Sequence, residues 1–87
     1  MSDREQDYKD LFEIIAKLDN LDDVKHFLYD LCTRKELETM SQRITAGKLL
    51  KNGETYDSII KKTGISSTTL SRVSTALKYG EGYKKFL

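Results

Sequence analysis

The stretch from Ser66 to Lys78, SSTTLSRVSTALK, carries Ser66, Ser67, Thr68, Thr69, Ser71, Arg72, Thr75 and Lys78, hydroxyls and cations with no acid among them. Side chains of these types at helical spacing do not make a nucleophile and its base. They make a surface that can donate hydrogen bonds to an anionic polymer. Short hydroxyls let a helix lie deep in the major groove and bond base edges or phosphates. Threonine methyls can meet thymine methyls, and an arginine can pair with guanine through two parallel bonds. Leu70, Val73 and Leu77 recur at three and four residues, so the same helix keeps one apolar stripe for its own fold. Ser and Thr are only middling helix formers, and their crowding on the outer face calls for a reason. The competing explanation is a Ser/Thr-rich amphipathic helix on a small bundle.

Positioning such a helix requires a turn and a second helix, and the preceding residues, YDSIIKKTGI, supply both. Gly64 ends the first helix with a residue that takes a left-handed conformation at little cost. Ile65 can plug the angle, and Ser66 is an N-cap whose hydroxyl accepts a free backbone N–H. Ile59 and Ile60 offer the facing surface. Two short helices joined by a three- or four-residue turn containing Gly form the helix-turn-helix pattern, whose second helix lies in the major groove. Ile60 stands where that pattern usually has a small residue.

Net charge is only +1, yet it is unevenly spread. Residues 1–42 hold six Lys/Arg against eleven Asp/Glu, and residues 43–87 hold nine against three, giving −5 and +6. The basic half, with Arg43, Lys48, Lys51, Lys61, Lys62, Arg72, Lys78, Lys84 and Lys85, has the counterion-releasing groups a duplex needs. At 87 residues the chain is one small domain, of a size that buries only roughly 60–65% of its unfolded surface and is helped by a partner subunit. With one Cys and one His, Cys32 and His26, neither a disulfide scaffold nor a Cys/His zinc site is available, and no catalytic pair can be assembled. No apolar run suits a membrane span or a signal peptide, so a cytoplasmic protein is expected, with no metal and no cofactor.

In chain order, Met1 to about Asp7 is polar and expected to fray. Tyr8, Leu11, Phe12, Ile15 and Leu18, with Ile14, give a first helix whose apolar face is too wide for one neighbour. Asn20 and Asp23 resemble a capping box opening a second helix, with a stripe of Leu21, Val24, Phe27, Leu28 and Leu31. Caps and first-turn carboxylates account for Asp19, Asp22 and Asp23 better than a metal site does. A second box, Thr33 to Glu36, starts the longest helix, about Arg34 to Lys51, with a seam of Leu37, Met40, Ile44, Gly47 and Leu50. Asn52 and Gly53 end it, and Thr55 caps the first helix of the hairpin. Beyond Gly80 and Gly82, Tyr83 to Leu87 makes at most one last turn. The expectation is a single all-α domain over 1–87 with about six helices: dimerisation helices at 8–54, the helix-turn-helix at 55–79, and a C-terminal turn at 80–87.

The landmarks DLCT at Asp30 to Thr33, SQR at Ser41 to Arg43, TY at Thr55 and Tyr56, TG at Thr63 and Gly64, TLSRV at Thr69 to Val73 and LKYGEGY at Leu77 to Tyr83 resemble the tryptophan repressor-like family, most closely its YerC/YecD branch. The resemblance implies six helices, the first three interlocked with those of a second copy in a twofold homodimer. It also implies two recognition helices roughly 34 Å apart on a pseudo-palindrome. Aligned on Gly64 and Arg72, the family's reading-head positions fall on Ser67, Thr68, Thr69 and Ser71, with Lys78 near the backbone. Arg43 and Arg72 align with two arginines of the family's tryptophan pocket. A Gly that leaves room for the indole is replaced by Val73, and a Ser that meets the ligand amine by Ala76, so a tryptophan response is not expected.

The leading expectation is therefore a sequence-specific double-stranded DNA-binding regulator, a repressor acting by occlusion. The alternative is a helical protein-interaction module whose acidic half meets a basic partner.

Overall fold

The computed structural model describes residues 2–87, and within them the chain forms six α-helices and no strand. They are α1 (Ser2–Lys17), α2 (Leu21–Leu31), α3 (Arg34–Lys51), α4 (Tyr56–Thr63), α5 (Ser67–Tyr79) and α6 (Glu81–Phe86). The all-α expectation holds. No described helix is long and apolar enough to cross a membrane. The chain divides into two compact units, the first ending at Arg34 and the second spanning Lys35–Leu87.

In the first unit, α1 begins at Ser2, almost two turns before the expected start. Residues such as Arg4, Glu5 and Gln6 are good helix formers, and they extend the helix without needing an apolar face. Asn20 caps α2: the Asp23 amide donates to Asn20 Oδ1 at 2.8 Å, and Asn20 Nδ2 donates to Asp23 Oδ2 at 3.0 Å. The return bond thus runs between side chains, a variant of the expected box. Val24, Phe27 and Leu28 are half-buried, and none of the described residues of this unit is fully buried. Tyr8 and Phe12 meet edge to face with centroids 6.1 Å apart, yet Phe12 remains 56% exposed.

The second unit has a core of its own. Ala46, Ile59, Ile65, Leu70 and Val73 are buried, with Leu49, Leu50, Ile60, Leu77 and Tyr83 packed around them. Ile60 is accommodated at the rim of this core rather than at its centre. The expected seam of α3 holds at Gly47, which is buried, and at Leu37 and Leu50, which are half-buried, and is corrected elsewhere: Met40 and Ile44 stay exposed, and Ala46, outside the expected seam, is buried. The face of α3 that is buried is the one that meets Val73 and Leu87. A Cβ on Gly47 would stand 3.6 Å from Val73 Cγ1 and 2.6 Å from Leu87 Cδ1. The small residue lets Leu87 as well as α5 come close.

Two of the three turns of this unit, α3–α4 and α4–α5, rest on left-handed glycines, Gly53 and Gly64. At the end of α3, Gly53 has φ 85°. Its N–H donates to the Leu50 carbonyl, and the Glu54 N–H to that of Leu49, the paired bonds of a Schellman ending. Glu54 then binds along α4: Oε1 accepts from Ser58 Oγ at 2.8 Å and from Lys62 Nζ at 2.8 Å. Thr55 caps the helix, accepting from the Ser58 amide. Last, α6 starts at Glu81, earlier than the expected turn, because Gly80 ends α5 with an extended backbone, φ −79°, ψ 157°.

The Lys62 and Ser58 hydrogen bonds hold the Glu54 carboxyl below its ordinary range, outweighing the opposite effect of partial desolvation. The associated stability is complete above about pH 4.3, the usual unfolded value, and is lost as pH falls through the lowered folded value. Glu54→Gln is expected to give a shallower acid decline below about pH 5, measured as Tm by circular dichroism from neutral to acid pH. A decline parallel to that of the parent would remove Glu54 from the account.

Candidate nucleic-acid interface

The hairpin angle is set between α3 and the turn. Gly64 has φ 76°, and its N–H donates to the Ile60 carbonyl at 2.9 Å. Beside it, Gln42 of α3 donates through Nε2 to the Thr63 carbonyl at 3.0 Å. Thr63 Oγ1 donates to the Ile59 carbonyl at 2.8 Å and accepts from the Ile65 amide at 3.2 Å. Ile65 is 3% exposed, so it does plug the angle. Ser66 is the N-cap of α5, accepting from the Thr69 amide at 3.1 Å. Leu70 and Val73 face inward, and the residues between them are thereby turned outward.

The outward face carries an open groove lined by Thr68, Ser71, Arg72, Thr75, Ala76, Tyr79 and Gly80. Four of the residues singled out from sequence, Thr68, Ser71, Arg72 and Thr75, are brought together there. Ser67 is exposed at the first turn. Thr69 lies on one flank, in a second groove with Arg43, Arg72, Val73, Ala76 and Tyr83. Lys78 lies on the other flank, beside Leu50 and Leu77. Tyr79 went unnoticed in the sequence, although it is 79% exposed and follows Thr75 by four residues, which is signal enough to place it on the same face.

The hydroxyls are not equally free. Ser66 Oγ accepts from the Thr69 amide and donates to Thr69 Oγ1 at 3.0 Å, so its proton is used inside the protein. Thr75 Oγ1 donates to the Ser71 carbonyl at 3.0 Å, which leaves its lone pairs and methyl outward. No acid lies within α5 to repel an anion.

A glycine turn, a capped second helix and an outward face of hydroxyls and an arginine define a helix-turn-helix protein. The chain belongs to the Trp repressor protein family, whose description matches residues 6–87. Among its relatives is the uncharacterized protein YerC of Bacillus subtilis, 38% identical over 77 residues, 88% of this chain and 74% of that one. A Trp operon repressor homolog of Xylella fastidiosa is 33% identical over 76 residues, covering 86% of this chain and 83% of that one. A crystal structure of a TrpR like protein from Eubacterium eligens superposes with a TM-score of 0.83 at 41% identity, over 92% of this chain and 84% of that one. The resemblance drawn from the sequence landmarks thus holds, including its YerC branch. The family is one of transcriptional regulators, not of enzymes, and this chain is a DNA-binding transcriptional regulator.

Because Ser66 acts as the cap, Ser66→Ala is expected to lower stability by about 1 kcal/mol, within the 0.5–2 kcal/mol usual for caps. Urea unfolding measures this. Ser66→Asp, which keeps an acceptor, should recover most of the loss. Unchanged stability in Ser66→Ala would show that the cap is dispensable.

Proposed function

We propose that the protein is a sequence-specific repressor that occludes a pseudo-palindromic operator as a twofold homodimer, each copy entering the major groove with α5. The observation that carries the proposal is the grouping of Thr68, Ser71, Arg72 and Thr75 along one outward groove of a capped, acid-free helix. In this proposal Ser67, Thr68, Thr69 and Ser71 approach bases and phosphates, Arg72 supplies readout, and Ser66 presents the helix N-terminus. Thr75 offers its methyl and lone pairs, and Lys78 lies toward the backbone. Residues 8–54 serve dimerisation, 55–79 the reading pair and 80–87 the closing turn.

Dimerisation is supported by the apolar surface left uncovered: Tyr8, Phe12, Ile14 and Ile15 on α1, Leu21, Tyr29 and Leu31 on α2, and Met40 and Ile44 on α3 are all exposed. Large patches of this kind mark association surfaces. A second copy of the chain is the proposed occupant.

The test is selection from a random double-stranded DNA pool at near-physiological salt, with and without added amino acids. Enrichment of a pseudo-palindrome with half-sites one helical turn apart is expected, and Arg72→Ala should weaken binding to it by about 1–3 kcal/mol while relaxing its sequence preference. Retention of DNA that depends on salt but not on sequence would sink the proposal and favour the protein-interaction module.

The protein is further proposed not to respond to tryptophan. The groove beside Arg43 and Arg72 is lined by Val73 and Ala76 and is shared by Tyr83 of α6. Val73 takes up room there, and Ala76 has no side-chain acceptor for an amine. Calorimetry with free tryptophan is expected to show no micromolar binding, and a saturable micromolar isotherm would overturn this claim.

A further inference from the structure

A third groove runs beside α5, lined by Leu50, Lys51, Ser74, Leu77, Lys78 and Lys84. Its floor is apolar, from the half-buried Leu50 and Leu77, and its rim is cationic. The three ammonium groups come from three elements: Lys51 is the last residue of α3, Lys78 is in the last turn of α5, and Lys84 is in α6. All three are exposed, and no acidic side chain lines the groove. The ion pairs among the described residues, Lys9 with Glu13 and Lys62 with Glu54, use none of them.

The position of this groove relative to the reading face follows from helix geometry. With about 100° per residue, Ser74 and Lys78 lie about a quarter turn to a third of a turn from the face of Thr68, Arg72 and Thr75. Thr69 and Ala76, with Arg43, lie on the other side. A helix in a major groove has a phosphate strand along each flank. We propose that the Lys51–Lys78–Lys84 groove seats the sugar–phosphate backbone of the strand bordering the groove that α5 enters. Lys51 and Lys84 each meet a phosphate beside Lys78, while Leu50 and Leu77 stay packed on the core beneath them. This inference rests on the DNA-reading function proposed above and adds to it a backbone contact supplied from outside the helix-turn-helix.

Charge complementarity selects the occupant. Three like charges around one slot repel one another unless an anion lies among them, and a duplex presents closely spaced phosphates at regular intervals. Interactions of this class fix register without reading sequence.

The experiment is the salt dependence of duplex binding by the full chain, measured by fluorescence anisotropy on the selected operator and on random duplex. The variants are Lys51→Gln/Lys84→Gln, the charge-preserving Lys51→Arg/Lys84→Arg, and Lys25→Gln on the acidic half as a control for net charge. Each phosphate that a variant leaves unneutralised should reduce the slope of log K against log salt by about 0.9, so the Gln pair should lower it by about 2 per bound protomer. The weakening should be alike on operator and random duplex, the Arg pair should restore the slope, and Lys25→Gln should leave it unchanged. Circular dichroism verifies that each variant is folded. If the parent binds its operator and Arg72→Ala weakens it, but the Gln pair keeps the parent slope or changes it no more than Lys25→Gln, the groove does not hold the backbone and the DNA-reading proposal stands. If the parent binds no duplex, both proposals fall.

Discussion

The second unit depends on the burial of Ile59, Leu70 and Val73 around Ala46, with Ile65 filling the corner between α4 and α5. That core has five buried hydrophobic residues, so each is a large share of it. Truncating a buried Leu or Ile to Ala typically costs about 2–5 kcal/mol against a total stability of about 5–15 kcal/mol for a domain. The hydrogen bonds of the turn are individually smaller, about 0.5–1.5 kcal/mol each, but they are directional. Gln42 reaching the Thr63 carbonyl links α3 to the turn, so burial supplies the energy and the turn supplies the angle.

This arrangement explains why hydroxyl residues dominate α5 without all serving the same purpose. Ser66 and Thr69 close the N-terminus on each other, and Thr75 donates to its own helix. Ser67, Thr68 and Ser71 are exposed at the surface proposed to read DNA. A hydroxyl has one proton, and a helix of Ser and Thr spends some of those protons on backbone carbonyls. The number of donors offered outward is therefore smaller than the number of hydroxyls in the sequence. Arg72, with its fixed fork of donors, gains weight accordingly.

The two units differ in charge and in self-sufficiency. The basic unit closes a core on its own, whereas the described residues of the acidic unit include none that is fully buried. A chain built in this way has one unit with a closed core and one whose apolar side chains stay uncovered, which is the physical ground for proposing a second copy as the missing neighbour.

Much of this architecture was legible along the chain, because the determinants are local. The caps at Asn20, Thr55 and Ser66, the glycine endings at Gly53 and Gly64, and the Leu70–Val73 stripe each depend on residues within a turn or two. Hydrogen bonding and helical periodicity act over that range, and so sequence alone determined six helices, the hairpin and most of its outward face. Three features were decided by tertiary structure. That α3 buries Ala46 beside the expected Gly47, and leaves Met40 and Ile44 exposed, depends on where Val73 and Leu87 come to rest. That Tyr83 shares the Arg43–Arg72 groove depends on the early start of α6. The gathering of Lys51 with Lys78 and Lys84 brings the end of α3 beside residues of α5 and α6 that no period relates to it. Periodicity states that a helix has an apolar face, but only packing between helices chooses its neighbour, because burial rewards any apolar partner alike and shape complementarity selects among them.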